Sequence, residues 1–210
     1  MPSAYLVAES GGKGMRGKKE RINVAPRVLV IFLLLLVSDQ SGLVTVTLLA
    51  AVLHEAGHLL AAHLLHVPLR RMRIDLVGAR LEIGGRMISY REEWLLAVAG
   101  PATSFFVAAL GSLLWQFGER ALYFSAASFL LGALNLLPIR SFDGGRMLEA
   151  LVCSFAGERL ADRVMTLTSF SFLFLLWATA VYFLLRAGDG ISLLFFSVSL
   201  FLRFFEYERL

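Results

Sequence analysis

Residues 43–66 read LVTVTLLAAVLHEAGHLLAAHLLH, and this stretch decides both the solvent and the architecture of the chain. It is apolar over the length of about 20 residues that a helix needs to cross a bilayer, yet it carries His54, Glu55 and His58 at its centre. An ionisable group at mid-bilayer costs roughly 2.5–3.5 kcal/mol on insertion scales, so three of them in one span require a functional reason. On a helix, residues i and i+4 share a face, which lets the two imidazoles ligate one metal ion, while Glu55 stands about 100° round and reaches the attacking water. One helical turn thus offers two metal ligands and a general base. His63 and His66 lie further along the same helix and are further imidazoles that can ligate a metal, but five residues separate His58 from His63, a rotation of roughly 140° off the shared face, which favours an interfacial place for them.

The rest of the chain agrees with a bilayer as its solvent. Of the 210 residues 58% are hydrophobic and 17% charged, with a mean hydropathy of +0.72, whereas a soluble domain carries about 25% charged residues. Nucleic acid is excluded as a partner despite a pI near 9.6, because the basic residues flank apolar segments and do not gather on one amphipathic face. The single cysteine, Cys153, makes neither an intramolecular disulfide nor a cysteine-rich structural zinc site.

Reading outward from the central stretch, further apolar segments occur near 27–38, 94–117, 121–139, 166–185 and 190–206. The expected fold is therefore an all-α polytopic membrane protein of about six transmembrane helices, with residues 27–206 forming one membrane-embedded domain behind a polar, basic tail at 1–26. Six spans place both termini on one side. With those termini cytosolic, all of the 20 Lys and Arg residues except Arg120 and Arg186 fall on the cytosolic side, as the positive-inside rule demands. In the 67–93 loop, Met72, Ile74 and Leu76, then Leu81 and Ile83, alternate with polar residues, and Gly78 and Gly84-Gly85 mark turns. That period of two predicts a short cytosolic β-hairpin.

A catalytic zinc takes three protein ligands and leaves one position open. Asp143, in NLLPIRSFDGGR at residues 135–146, follows the fourth span back to the side where His58 lies, at a plausible depth for the third ligand. The same aspartate, followed by Gly144-Gly145 and an apolar run, also reads as a helix N-cap, and Glu149, Glu158 and Asp162 are further carboxylates. Gly100-Pro101 inside the third span predicts a kink or a close approach to the metal-bearing helix.

Three features taken in order, His54-Glu-Ala-Gly-His58, Ala99-Gly100-Pro101 and Asn135...Pro138...Asp143-Gly144-Gly145, resemble the site-2 protease family of intramembrane zinc metalloproteases (peptidase M50). The compact six-span branch that includes stage IV sporulation protein FB is the most similar, which brings sporulation into view as a setting. The resemblance implies that His54, His58 and Asp143 bind one zinc ion, that Glu55 is the catalytic base, and that Asn135 and Pro138 help hold the substrate backbone. It implies hydrolysis of a peptide bond in or beside a transmembrane segment of a membrane-tethered regulatory protein, near the cytosolic face of the cell membrane, with membrane proteins as substrate and as regulatory partners. Ala56, Ser104 and Phe142 depart from the commonest family pattern without removing a ligand. A membrane zinc transporter would use the same ligands but has no need of Glu55 as a base, and a catalytically inactive client-binding scaffold has no need of the complete set.

Overall fold

The computed structural model describes residues 21–24, 39, 41–67, 69–75, 78–83, 88–114, 116, 118–187 and 191–208. Among them the chain runs β1 (Arg21–Val24), α1 (Leu43–Leu64), β2 (Leu69–Asp75), β3 (Gly78–Ile83), α2 (Tyr90–Leu113), α3 (Glu119–Asn135), α4 (Asp143–Ala156), α5 (Glu158–Ala187) and α6 (Ile191–Glu208). The span expected at 27–38 lies outside the described residues. Among the described residues, three helices are long and apolar enough to cross a membrane, Leu43–Leu64, Tyr90–Leu113 and Glu158–Arg186, and Ile191–Phe205 is a shorter apolar helix. The span expected at 121–139 ends as a helix at Asn135, because Pro138 donates no backbone hydrogen bond and restricts the residue before it.

The helix that carries the two histidines starts under control. Gly42 enters α1 with φ 75°, a left-handed conformation that glycine adopts without penalty. The Asp39 carboxylate accepts from the backbone N–H of Thr45 at 2.9 Å and from its hydroxyl at 3.0 Å, which satisfies one of the unpaired donors of the first turn. At α2 a capping box does the same work: Ser89 accepts from the Glu92 N–H while the Glu92 carboxylate accepts from the Ser89 N–H. Leu49, Val52, Leu60 and Leu64 on α1 remain exposed, as lipid-facing residues would be.

Small residues let α1 approach α2 and α3 approach α2. A Cβ at Gly57 would run into Thr103 and, at 2.7 Å, into the Ala99 carbonyl, and one at Gly132 would stand 3.0 Å from Ser104 Cβ. Ser125 donates to the Ala108 carbonyl at 2.6 Å, an interhelical hydrogen bond of the kind that ties membrane helices together. Between α3 and α4 the chain turns through Leu136–Phe142, and a Cβ at Gly144 or Gly145 would strike the Leu136 or Ile139 carbonyl. The start of α4 is thereby seated on the turn before it. Arg140, 6% exposed, fixes that turn to α5: its backbone N–H donates to Ser169 Oγ, and its guanidinium to the Asp162 carboxylate and carbonyl and to Thr166.

The described strands form a three-stranded sheet in the order β1-β2-β3, with β2 and β3 antiparallel and Asp75 opposite Gly78, and β1 parallel to β2 with Arg21 opposite Arg71. The two antiparallel strands occupy the segment where alternation predicts a hairpin. Arg21–Val24, assigned from the sequence to the polar tail, instead supplies the third strand; alternation over four residues, with Ile22 and Val24 as its apolar members, is too short a signal to separate a strand from a tail.

Candidate metal centre

Two helices and one helix start converge on a single point. His54 and His58, 4% and 5% exposed, sit one turn apart on the face of α1 turned to α2, their rings edge to face with centroids 5.0 Å apart. Their Nε2 atoms are 3.3 Å from each other. From the opposite side Asp143, the first residue of α4, brings Oδ2 to 3.1 Å from each of those nitrogens. The N-cap position of α4 belongs to Phe142, with no side-chain cap bond. The capping alternative for Asp143 therefore falls away: its carboxylate is committed to the two imidazoles.

The far side of each imidazole is held as firmly. His58 Nδ1 lies 2.7 Å from the Leu96 carbonyl and His54 Nδ1 lies 2.9 Å from Ser104 Oγ. A carbonyl can only accept, so His58 carries its proton on Nδ1 and directs the Nε2 lone pair into the cluster. Ligand orientation by a hydrogen bond on the opposite ring nitrogen is the rule for metal-bound histidine. A lone pair and a carboxylate oxygen 3.1 Å apart repel each other unless a proton or a cation lies between them. Donors placed about 2.0–2.1 Å from a tetrahedral zinc stand about 3.3 Å from one another, close to the three separations seen here.

Beneath the donors the wall is bare backbone. A Cβ built on Gly100 would land on His58 Nε2 and come within 2.7 Å of His54 Nε2, so the glycine of the Gly100-Pro101 pair leaves open the space an ion needs. The close-approach reading of that pair holds, and its geometric purpose is visible. Among the described residues, His54, His58 and Asp143 form the group of metal-ligating side chains whose donor atoms all lie within 4.8 Å of one another. Zinc is the cofactor that two imidazoles and one carboxylate oxygen fit.

Around this centre the electrostatics favour an ionised Asp143. Burial pushes its carboxyl upward, but the adjoining His54 and His58 imidazoles and the nearby Arg146 guanidinium outweigh burial and hold it well below the usual carboxylate range. Glu149, two turns along α4 from the centre, is pushed upward, chiefly by burial. Glu55 is half-buried beside His54 and near enough to His58 to act on it electrostatically.

The remaining sequence candidates lie apart from the three donors. Asn135, in the last turn of α3, donates through Nδ2 to the Leu131 carbonyl of its own helix at 3.0 Å, and Pro138 is half-buried in the following turn. His63 and His66 are exposed, as are Glu158 and Asp162, and none of these joins the group. Ser104, the Leu96 carbonyl, the reason for Gly100 and the ion pair of Arg146 with Asp143 at 3.6 Å are additions from the structure. The pairing of Gly100 with Pro101 and the departure of Ser104 from the family pattern were the signs of them in the sequence.

Comparison with known proteins follows the same lines. The sequence profile of Peptidase family M50 matches residues 112–179, a stretch that contains Asp143 and begins beyond His54 and His58. Rip3 of Mycobacterium tuberculosis is 34% identical over 124 residues, 54% of this chain and 32% of that protein. Stage IV sporulation protein FB of Bacillus subtilis is 27% identical over 86% of this chain and 65% of its own. Zinc metalloprotease MJ0392 of Methanocaldococcus jannaschii is 30% identical over 64% of this chain and 38% of its own. The chain thus spans about a third of Rip3. The solved structure of a site-2 protease from Methanocaldococcus jannaschii superposes with a TM-score of 0.62 at 20% identity, covering 90% of both chains, which establishes a shared fold. The resemblance read from the motifs holds: this chain is similar to the site-2 proteases of peptidase family M50 in sequence and in fold.

Proposed function

We propose that this chain is an intramembrane zinc metalloprotease that hydrolyses a peptide bond in or next to a transmembrane segment of a membrane-tethered, regulatory protein. The observation that carries the reading is the meeting of His54 and His58, inside an apolar helix, with Asp143 on one point beside Glu55. His54, His58 and Asp143 hold the zinc ion. When bound, zinc polarises the scissile carbonyl and brings the pKa of water to about 7. Glu55 takes the proton of the attacking water and passes it to the departing amide nitrogen, the work of a general acid–base. Ser104 and the Leu96 carbonyl keep the imidazoles from turning while this happens.

A helical substrate buries its carbonyls in hydrogen bonds and must unwind before attack. Asn135 and Pro138, in the approach to Asp143, are the residues we assign to holding the extended backbone. Charge distribution favours cytosolic termini in a six-span, multi-pass arrangement, which puts cleavage near the cytosolic leaflet and releases a fragment into the cytosol. Residues 27–206 act as one domain in this reading, with residues 1–26 outside the bilayer.

The test is zinc content and cleavage of a tagged single-span substrate by the purified wild type and Glu55→Gln in detergent. The wild type binds about one zinc, and the variant keeps the metal while cleavage falls by about 10²–10⁴-fold. Cleavage that survives Glu55→Gln would overturn the proposal.

A further inference from the structure

The two oxygens of Asp143 have different neighbours. Oδ2 faces His54 and His58 at 3.1 Å, whereas Oδ1 faces Arg146 Nη1 at 3.6 Å, an ion-pair separation beyond hydrogen-bond reach. Arg146 follows Asp143 by three residues on α4, so the helix itself holds the two side chains on one face. It also stands in the first turn, where the helix dipole disfavours a cation by about 0.3–1 kcal/mol. A cation kept there against the dipole needs anionic neighbours, and Asp143 is one of them.

We infer that Arg146 is a positioning residue for the metal centre: it draws Oδ1 of Asp143 away from the donors, so that the carboxylate offers zinc one oxygen and leaves a coordination position for water or substrate. The inference rests on the zinc reading of the site. With two histidines and one carboxylate oxygen as donors, a bound zinc would keep one position open, and a carboxylate free to pivot would bring its second oxygen toward that position. Arg146 also acts electrostatically on Glu93 of α2 and Glu149 of α4, and neutralising these carboxylates is the competing explanation for its place.

The experiment compares the wild type, Asp143→Asn, Arg146→Gln and the charge-balanced pair Glu93→Gln/Arg146→Gln, in detergent. Zinc affinity is read by chelator competition, and ligand geometry by the visible absorption of the cobalt-substituted protein. Helical circular dichroism checks folding. Arg146→Gln should weaken zinc binding by about 10–100-fold, the usual loss when a partner of a metal ligand is removed, and should weaken the cobalt bands as the coordination number rises. The same changes should persist in the charge-balanced pair, which also decides the matter if Arg146→Gln alone does not fold. Zinc affinity and cobalt bands at wild-type values in that pair would assign Arg146 to Glu93 and overturn the inference. Wild type without zinc affinity, or Asp143→Asn with full affinity, would instead sink the zinc reading on which it rests.

Discussion

The helices that meet at the metal centre and the helices that meet at the carboxyl end are packed by opposite means. Where α1, α2 and α4 come together the contacts are Gly57 on Ala99 and Thr103, Gly100 under the imidazoles, and Gly144 and Gly145 on the turn before them. Where α5 and α6 meet, the buried cluster is Leu173, Leu200 and Phe204 with Ile139 and Phe142, and Phe170 stacks on Phe174, meets Phe201 edge to face and lies tilted to Phe204. Bulky side chains hold backbones apart and fill the gap with contacts that a neighbour of similar size can replace. Small ones bring backbones together, so that His54, His58 and Asp143 reach a common point across helix boundaries. The first region is tuned for geometry, and the second for volume.

Substituting one residue in each region puts that difference to the test. Gly100→Ala should have the largest effect, a loss of zinc affinity of more than about 100-fold by chelator competition, because the new methyl falls on His58 Nε2 and displaces a ligand, not merely its partner. Alanine is favoured over glycine in a helix by about 0.8–1.0 kcal/mol, so α2 itself should form at least as well; unaltered zinc binding would show that the floor of the site yields. Ser104→Ala comes next. It removes the partner of His54 Nδ1, and zinc affinity should fall by about 10-fold, at the lower end for such a partner, with helical content unchanged. The smallest effect on the metal belongs to Leu173→Ala in the aromatic region: thermal unfolding in detergent should show a loss of roughly 2 kcal/mol, while zinc affinity stays within about two-fold. A zinc defect in that variant would mean that the two regions are coupled through Ile139 and Phe142, which share the Leu173 cluster and lead into Asp143.

How far these features are legible in the sequence depends on their range. The spacing of His54 and His58 announces a shared helical face because the i, i+4 relation is local and fixed by 3.6 residues per turn. Asp143 was one carboxylate among several, with an N-cap as its rival, and the resemblance to the protease family separated it from Glu149, Glu158 and Asp162; the convergence on the histidines depends on how α3 and α4 turn about Pro138. The partners of the histidines lie 38 and 50 residues away, and nothing local marks a leucine carbonyl or one serine among many. Segment boundaries blurred for a related reason. An apolar run sets where a chain enters lipid, but Pro138 and the seating of Gly144 set where α3 stops and α4 begins, and α5 starts at Glu158, well before the apolar run at 166.

Every donor at the centre is a nitrogen or an oxygen. Cys153, the sole cysteine, is not one of them, so peroxide or disulfide stress finds no thiolate to oxidise among the ligands. On the proposed reading, loss of the ion would be a matter of competition and protons, and zinc affinity should be blind to the redox condition of the compartment that bathes the protein.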